Sequence, residues 1–471
     1  MDNPSNAERR ELAPDPAAAG SAEPPLTTRT VLVIALPVVL SNAAVPLQGA
    51  VDTAIMGNTG DTVLLAAVAL GAAAIALVLS SFNFLDMGIG GLTAQAIGAG
   101  QPGRAVRTLL RGLAIALVIG LVLVVLRTPL VALATALFAA SDAAETAAGT
   151  YIRLRLLGAP VELMTYALMG WFAGQGRTGV LFRLQLAVSF INVAATLALV
   201  LGLDLGIRGV ALGTVIAQVC GLVYGLVAAH RVARRLLPEA EDLTLARVFR
   251  GPELAQLLTL NRDIFLRTVL ISAAFAWFAR LGSMQGDLMM AVNGVLIEFF
   301  FVTTAALDGF AIAAESLVGR AIGRRSPGAM RRAVRVVAWS GAVLAVGLSG
   351  LLALSSGALI ALFTDVAAVR ETAADYALWA ALIPMVGVAA FMLDGIFVGA
   401  AEGRAMRDTM AISAGLFIPL GWVATVSVGN HGTWAAIWGF LILRAVTLAL
   451  HYPRLEARVA ASTPTASATL A

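Results

Sequence analysis

A single carboxylate and two prolines lie within a long apolar stretch near the start of the chain. The stretch from Val31 to Asn58 can cross a bilayer, since about 20 predominantly apolar residues suffice. Within it, Asp52 is costly to bury and is therefore a candidate for function. When charged, this carboxylate attracts a cation; when protonated, it releases one. Pro37 and Pro46 interrupt the internal hydrogen bonding of a helix, so a bend is expected here.

The competing interpretation of Asp52 is structural. Asp52 lies near the outer end of its predicted span, where a carboxylate reaches interfacial water. The residues alone leave both interpretations open.

Further oxygen-bearing side chains occur in later apolar stretches. Asn192 and Thr196 are four residues apart and share one helix face, and Thr214 lies in the next stretch. Taken singly, such residues more often bond to the backbone or to a neighbouring helix. Asp308 and Asp394 are acids in two other apolar stretches. Two acids that line a cleft would favour cationic cargo, while structural pairing with a nearby arginine is the open alternative.

Two other acids are predicted to be structural. Glu315 lies close to an arginine-rich connection, and we expect it to pair with Arg320 or Arg324. Asp263 and Arg267 are four residues apart on one helix and are expected to form an ion pair.

The composition indicates an all-α polytopic membrane protein. Of the 471 residues, 59% are hydrophobic and 13% are charged, about half the charged share of soluble proteins. The mean hydropathy is +0.88. The net charge is +4, and every basic residue is an arginine. We predict no nucleic-acid partner, because membrane topology accounts for the arginines. The single cysteine, Cys220, excludes an internal disulfide.

The motifs of catalysis and nucleotide binding are missing from the sequence. There is no HExxH, P-loop, CxxC or nucleophile elbow, and the three histidines lie far apart. We therefore predict no enzymatic activity, no cofactor and no metal site. Without a nucleotide site, the energy for any transport must come from an ion gradient.

Twelve apolar stretches are long enough to be transmembrane helices. They lie near 29–57, 62–97, 104–138, 143–175, 178–203, 208–235, 254–281, 286–322, 328–363, 366–401, 405–429 and 432–453.

Alternate connections differ sharply in arginine content. The poor set contains only Arg127, Arg208, Arg280 and Arg370. The positive-inside rule places the rich set and both termini in the cytoplasm. The rich set contains Arg104, Arg107, Arg111, Arg177, Arg183, Arg231, Arg234, Arg235, Arg247, Arg250, Arg320, Arg324, Arg325, Arg331, Arg332, Arg335, Arg404 and Arg407.

The chain also repeats itself at an offset of 225 residues. QAIGAGQPGRAVR at 95–107 matches RAIGRRSPGAMRR at 320–332 at six of thirteen positions, and MGWFAG returns as DGIFVG. A repeat of six helices re-enters from the same side, so the two copies are parallel bundles. The GxxxG glycines Gly170, Gly174, Gly395 and Gly399 are interpreted as helix packing.

These features predict five regions. They are a disordered cytoplasmic tail at 1–26, an N-lobe at 27–236, a cytoplasmic linker at 237–253, a C-lobe at 254–456 and a second disordered tail at 457–471.

Several motifs, in order, resemble the multidrug and toxic compound extrusion (MATE) family, in particular its DinF-like branch. They run from about Leu32 to the last helix. They are ALPVVLSNAAVPLQGAVDTAIMG, GLTAQAIGAG, LNRDIFLRT, LDGFAIAAESLVG, IPMVGVAAFMLDGIFVGA and RAMRDTM.

The resemblance implies two bundles that form a V-shaped cleft. It also implies a multi-pass antiporter of the cytoplasmic membrane, expected to be a monomer, which exports organic cations or toxic compounds by rocker-switch alternating access. Asp52 matches the coupling acid of the family and Pro37 its bending proline. Asn192, Thr196 and Thr214 match the positions around that acid, and Asp394 matches a tenth-helix acid.

One departure leaves the coupling ion open. Thr196 stands where related sequences commonly carry a second aspartate, and RTVLISAAFAWF lacks the glutamate of the NorM branch. We expect proton coupling through Asp52, with a sodium-coupled exporter as the alternative. A lipid-linked oligosaccharide flippase of the same superfamily is a weaker alternative. Its cleft would need inward basic residues, and only Arg153, Arg155 and Arg444 lie within the spans.

Overall fold

A computed structural model describes residues 26–57, 62–138, 142–237, 244–249 and 251–462 of the chain. Within this part, the side chains of 45–54, 56, 57, 62, 245 and 246 are not described. Every regular element in the described ranges is a helix.

We number the main helical segments α1 to α12, and four of them (α2, α3, α4 and α10) consist of two pieces. They are α1 (Thr28–Gly57), α2 (Thr62–Ser80 and Phe84–Gly98), α3 (Pro102–Val125, followed by Arg127–Phe138), α4 (Asp142–Leu157 and Ala159–Gly174), α5 (Thr178–Leu197, ending in a π-turn at Ala198–Gly202), α6 (Gly206–Leu236), α7 (Pro252–Ser283), α8 (Asp287–Gly323), α9 (Pro327–Phe363), α10 (Ala367–Ala381 and Ile383–Gly399), α11 (Gly403–Val428) and α12 (Asn430–Ala461). A short helix, Leu245–Phe249, lies between α6 and α7.

Ten of these helices are long and apolar enough to cross a membrane, and an eleventh qualifies if the two pieces of α4 form one span. In α1, only Thr28–Ala44 has described side chains throughout, and this part of the helix is too short to count as a span by itself. The polytopic all-α class is confirmed, and the number twelve stays a prediction.

Prolines account for the breaks in α4 and α10. A proline lacks the N–H that continues the helical ladder, and its ring clashes with the preceding turn. Pro160 follows the break at Gly158, where α4 bends by 51°. Pro384 follows the break at Leu382 in α10.

The backbone repeats the duplication seen in the sequence. Gly100 and Gly176 end α2 and α4 with φ of +66° each, a left-handed conformation that glycine adopts easily. At the offset of 225 residues, Arg325 and Ala401 end α8 and α10 with φ of +55° and +57°. The second repeat therefore keeps this conformation without glycine, although it costs a side-chain-bearing residue about 1–2 kcal/mol.

Each lobe has its own hydrophobic core, and the first helix of each repeat begins in the core of the other lobe. Val31, Ile34 and Ala35 of α1 pack into the C-lobe core. Leu257 and Ile264 of α7 pack into the N-lobe core. Thus α1 and α7 both cross between the lobes.

The lobes also meet through reciprocal backbone contacts. A methyl group at Gly98 would overlap the backbone of Arg320, and one at Gly323 would overlap the backbone of Gln95. The members of these two contacts are related by the same offset of 225 residues. The contacts therefore form a pair about an approximate two-fold axis.

These contacts lie at the end of the bundle that carries the arginine-rich connections, which we call the arginine-rich end. Side chains tie the connections together there. Arg104 donates to Gln256 at 3.3 Å. Arg111, which is almost fully buried, forms an ion pair with Glu253 at 2.7 Å and donates to the Val248 carbonyl. The segment before α7 is thereby fixed against α3.

Two boundaries differ from the sequence expectation. The helix α12 continues to Ala461, so the predicted disordered tail was wrong for 457–461; Leu455 and Val459 are buried against the C-lobe core and hold this turn in place. The predicted linker contains the helix Leu245–Phe249, and α7 already begins at Pro252. Residues 1–25 and 463–471 lie outside the described part of the chain.

Candidate functional site

Three of the predicted coupling residues lie together between α5 and α6. Asn192 and Thr196 are completely buried, and Thr214 is 6% exposed. The Asn192 amide donates to Thr214 Oγ1 at 3.0 Å, and Thr214 in turn donates to the Val210 carbonyl at 3.1 Å. The close approach of the helices requires Gly213, because a methyl group there would contact Thr196.

Two oxygens in this cluster have no hydrogen-bond partner among the described residues. They are Asn192 Oδ1 and Thr196 Oγ1. Burying an unpartnered polar atom typically costs about 1–3 kcal/mol, so such atoms mark places where a cation, a water or a further side chain belongs. The pattern i, i+4 directs both oxygens to one face of α5.

The side chain of Asp52 lies outside the described side chains, but its helix can be placed. Thr178 Oγ1 of α5 donates to the Val33 carbonyl of α1 at 3.5 Å, so these two residues lie at the same level. Because α1 and α5 run in the same direction, Asp52 lies as far beyond Val33 as Leu197 lies beyond Thr178. At equal rise per residue, Asp52 is therefore level with Leu197, the neighbour of Thr196.

Pro37 lies within α1, which continues as one helix from Thr28 to Gly57. Around it, the helix is held by the C-lobe. Asn42 donates to the Ala305 carbonyl of α8 at 3.2 Å, and Gly309 lies against Ala35. The expected bend at Pro37 stays a prediction.

A second polar cluster in the N-lobe was not predicted. Glu162 of α4 accepts hydrogen bonds from Gln218 and from Tyr166, and it forms an ion pair with Arg155 at 3.4 Å. Gln218 lies one helical turn beyond Thr214 on α6, so the polar strip of α6 continues from the coupling cluster to Glu162.

In the C-lobe, Asp394 is held by two arginines. Arg267 of α7 and Arg444 of α12 both donate to Asp394 Oδ2, the latter at 2.6 Å. All three side chains are at least nine-tenths buried. The structural pairing that the sequence left open is therefore present at Asp394.

Asp308 lies half-buried on α8, within electrostatic range of Asp394 and both arginines. Its charge also acts on Asp86 of α2. Asp86 in turn interacts with Glu315, so acids from both lobes form a continuous group across the interface.

Two sequence predictions about neighbouring charges were wrong. Among the described residues, no arginine pairs with Glu315: it is 5% exposed, Arg320 bonds to Ser316 instead, and Glu315 Oε1 fills the space beside Gly90. The reason is its position on the lobe-facing side of α8, where Gly90, the counterpart of Glu315 in the repeat, leaves a gap.

The second error concerns Asp263, which pairs with Arg407 of α11 at 2.7 Å and with its neighbour Arg262 at 3.0 Å. Its expected partner, Arg267, lies deeper in the C-lobe and binds Asp394. Contacts between helices thus outweigh the i, i+4 pairing.

Glu162 and Asp86 could have been found from the sequence. Each is an acid within a long apolar stretch, the criterion that singled out Asp52. What the sequence lacks is their surroundings, which come from helices far away in the chain.

Comparison with known proteins assigns the chain to a family. The MatE family model matches residues 37–197 and 264–423, one match in each lobe. The DNA damage-inducible protein F of Escherichia coli is 36% identical over 425 residues, which cover 89% of this chain and 91% of that protein. The chain belongs to the MatE family.

Two further proteins are similar to this chain. A probable multidrug resistance protein NorM of Bradyrhizobium diazoefficiens is 28% identical over 447 residues, covering 90% of this chain and 93% of that protein. The fold matches a solved outward-facing conformation of a multidrug resistance MATE family transporter, with a TM-score of 0.81 at 18% identity, over 93% of this chain and 97% of that one. These homologues and structural neighbours are transporters and not enzymes.

Proposed function

We propose that this MatE protein is a secondary antiporter that exports organic cations or toxic compounds, driven by protons that enter through Asp52. The observation that carries the proposal is the path of α1. Its first turns pack in the C-lobe core, while Thr178 of the N-lobe bonds to its backbone. The segment that carries Asp52 thus touches both lobes.

This path supplies a mechanical link between ion binding and lobe movement. Pro37 lies within the stretch of α1 from Val31 to Asn42 that contacts the C-lobe, and the turns level with Thr196 lie beyond this stretch. A proline is the point where a helix bends most easily. A change of charge at Asp52 that alters its contacts with α5 would therefore shift the lobes against each other in a rocking motion.

The chemistry of the α5–α6 cluster favours protons with sodium as the second candidate. A proton needs only the Asp52 carboxylate and a nearby acceptor. Sodium needs several oxygens, and the two unpartnered oxygens of Asn192 and Thr196 would supply part of such a shell. Thr196 adds no negative charge to the cluster, which makes the binding of a sodium ion there less favourable.

The flippase alternative requires unpaired basic groups inside the bundle. Among the described residues, Arg155 pairs with Glu162, and Arg267 and Arg444 share Asp394, so none of the three is an unpaired basic group. Asp308, which makes no ion pair among the described residues, is the better candidate for a group that attracts cationic cargo to the cleft. Asp394 would act beside it.

We further propose that the protein works as a monomer in the cytoplasmic membrane. The arginine-rich end would face the cytoplasm together with both termini, in accordance with the positive-inside rule. No cofactor is proposed; the energy source is the ion gradient.

The test uses purified protein in liposomes loaded with a fluorescent organic cation. We expect efflux under an imposed proton gradient, and we expect Asp52→Asn to abolish it, because an amide neither takes up a proton near neutral pH nor carries a negative charge that attracts a cation. The matched control is Asp142→Asn, which changes an exposed acid at the start of α4 and should leave efflux unchanged. Equal gradient-driven efflux by Asp52→Asn and wild type would overturn the scheme.

A second variant separates the two ions. Thr196→Val keeps the volume but removes an unpartnered oxygen, so it should not lower thermal stability. If sodium were the coupling ion, this variant would raise the sodium concentration needed for half-maximal efflux. Under proton coupling, the dependence of efflux on sodium is absent in both proteins.

A further inference from the structure

A groove with a cationic end lies between α5 and α6 at the arginine-rich end. Its volume is about 660 Å³. Four arginines line it: Arg177 and Arg183 from the start of α5, and Arg231 and Arg235 from the end of α6. The proposed transport mechanism does not use any of them.

The four guanidinium groups are not neutralised within the described part of the chain. All four residues are exposed, and no carboxylate pairs with them there. Within the described ranges, the guanidinium of Arg183 donates one hydrogen bond, to the carbonyl of Gly179 on its own helix. Partial desolvation and the nearby charge of Arg235 lower the pKa of Arg177 from its ordinary value, although it stays charged at neutral pH. The groove therefore concentrates positive charge.

The rest of the groove is apolar. Val219, Val223 and Val227 lie on one stripe of α6, and each is between 43% and 55% exposed. This stripe is about 12 Å long at 1.5 Å per residue. One leaflet of a bilayer has a hydrocarbon depth of about 15 Å. With the arginines at the depth of the headgroups, the valine stripe would lie along the acyl chains of the same leaflet.

We propose that this groove binds an anionic phospholipid that carries two phosphodiester groups, with one acyl chain along the valine stripe of α6. Arginine binds phosphate through two parallel hydrogen bonds, and four arginines from two helices match two phosphates. Basic pockets between transmembrane helices are typical sites for such headgroups. The site is independent of the ion-coupling cluster, so its test does not depend on transport.

The experiment titrates the full-length protein in detergent with cardiolipin and measures bound lipid by native mass spectrometry. We expect Arg231→Gln with Arg235→Gln to weaken binding about 30-fold, corresponding to about 1 kcal/mol for each arginine. Arg177→Gln with Arg183→Gln should have a similar effect from the other helix. Phosphatidylethanolamine should bind weakly to all variants.

The matched control is Arg234→Gln with Arg454→Gln. It removes the same charge from exposed arginines outside the groove, and it should change binding less than threefold. The proposal is overturned if the control loses as much affinity as the groove variants, or if the groove variants bind like wild type. Phosphatidylglycerol that binds as tightly as cardiolipin would overturn the assignment of two phosphates. Competition by inorganic phosphate at equal concentration would overturn the lipid as occupant.

Discussion

At the scale of single residues, the buried ion pairs around Asp394 should contribute strongly to the stability of the protein. The carboxylate is shared by Arg267 and Arg444, and all three are buried. Removing one partner from a buried ion pair leaves uncompensated charge, which costs about 3–5 kcal/mol.

We therefore predict that Asp394→Asn destabilises the protein by about 3–5 kcal/mol. Adding Arg444→Met should recover part of the loss, because one of the two unpaired cations is then removed. Thermal unfolding in detergent measures both. Asp365→Asn, which removes an exposed acid paired with Arg370, is the control and should leave the midpoint unchanged. An Asp394→Asn protein as stable as wild type would show that the arginines find other partners.

Most of the candidate site residues could be identified from the sequence, but the side chains that they contact could not. Asn192, Thr196 and Thr214 were grouped by family resemblance and lie together. Asp394 was named, but the distant residues Arg267 and Arg444 that neutralise it were not linked to it. Spacing along a helix reports which side chains share a face; it does not report which other helix lies opposite that face.

At the scale of elements, the glycines decide how closely the helices approach. Gly170 and Gly174 of α4 lie against α2, at Asp86 and Gly90, and their counterparts in α10 lie against α8 in the same way. The prediction that these GxxxG pairs serve packing agrees with these contacts. Other glycines lie between the lobes: a methyl group at Gly91 of α2 would overlap the Val398 carbonyl of α10.

We predict that Gly91→Ala prevents the lobes from closing at the arginine-rich end without unfolding either lobe. In a Cys220→Ser background, spin labels at Gln101→Cys and Gly328→Cys report the separation there. The distance should lengthen by several ångströms with Gly91→Ala. Gly347→Ala is the matched control, because open space surrounds Gly347 on α9. An unchanged distance would mean that the contact yields locally.

The positions of the helices could be predicted from hydrophobicity. In lipid, the backbone N–H and C=O groups of an apolar segment must form hydrogen bonds within that segment, which makes it a helix. The breaks in α4 and α10 were not resolved, since a proline in a long apolar run permits either a bend or a straight continuation. The end of α12 was also misjudged, as its last turns are amphipathic and contain Arg454 and Arg458.

At the scale of the whole molecule, the two lobes are related by duplication and linked by α1 and α7. A rocking movement exchanges opening at one end for closure at the other. The distances at the two ends of the bundle should therefore change in opposite directions.

To test this, a second labelled pair is placed at Asp142→Cys and Ala367→Cys, which are equivalent positions of the two repeats at the opposite end. When substrate is added, or when the pH is lowered, we expect one pair to lengthen while the other shortens. Pulsed electron–electron double resonance measures the distance distribution of each labelled pair. Two distances that rise and fall together would contradict rocking.

The reciprocal contacts of Gly98 with Arg320 and of Gly323 with Gln95 have one further consequence. Since the same backbone junction occurs twice around an axis, a tilt that strains one copy strains the other, and the junction releases as a unit. In the proposed antiporter, a half-released junction would open a leak and dissipate the ion gradient. In the proposed transport cycle, the duplicated contact would therefore favour two states of this junction, fully closed and fully open.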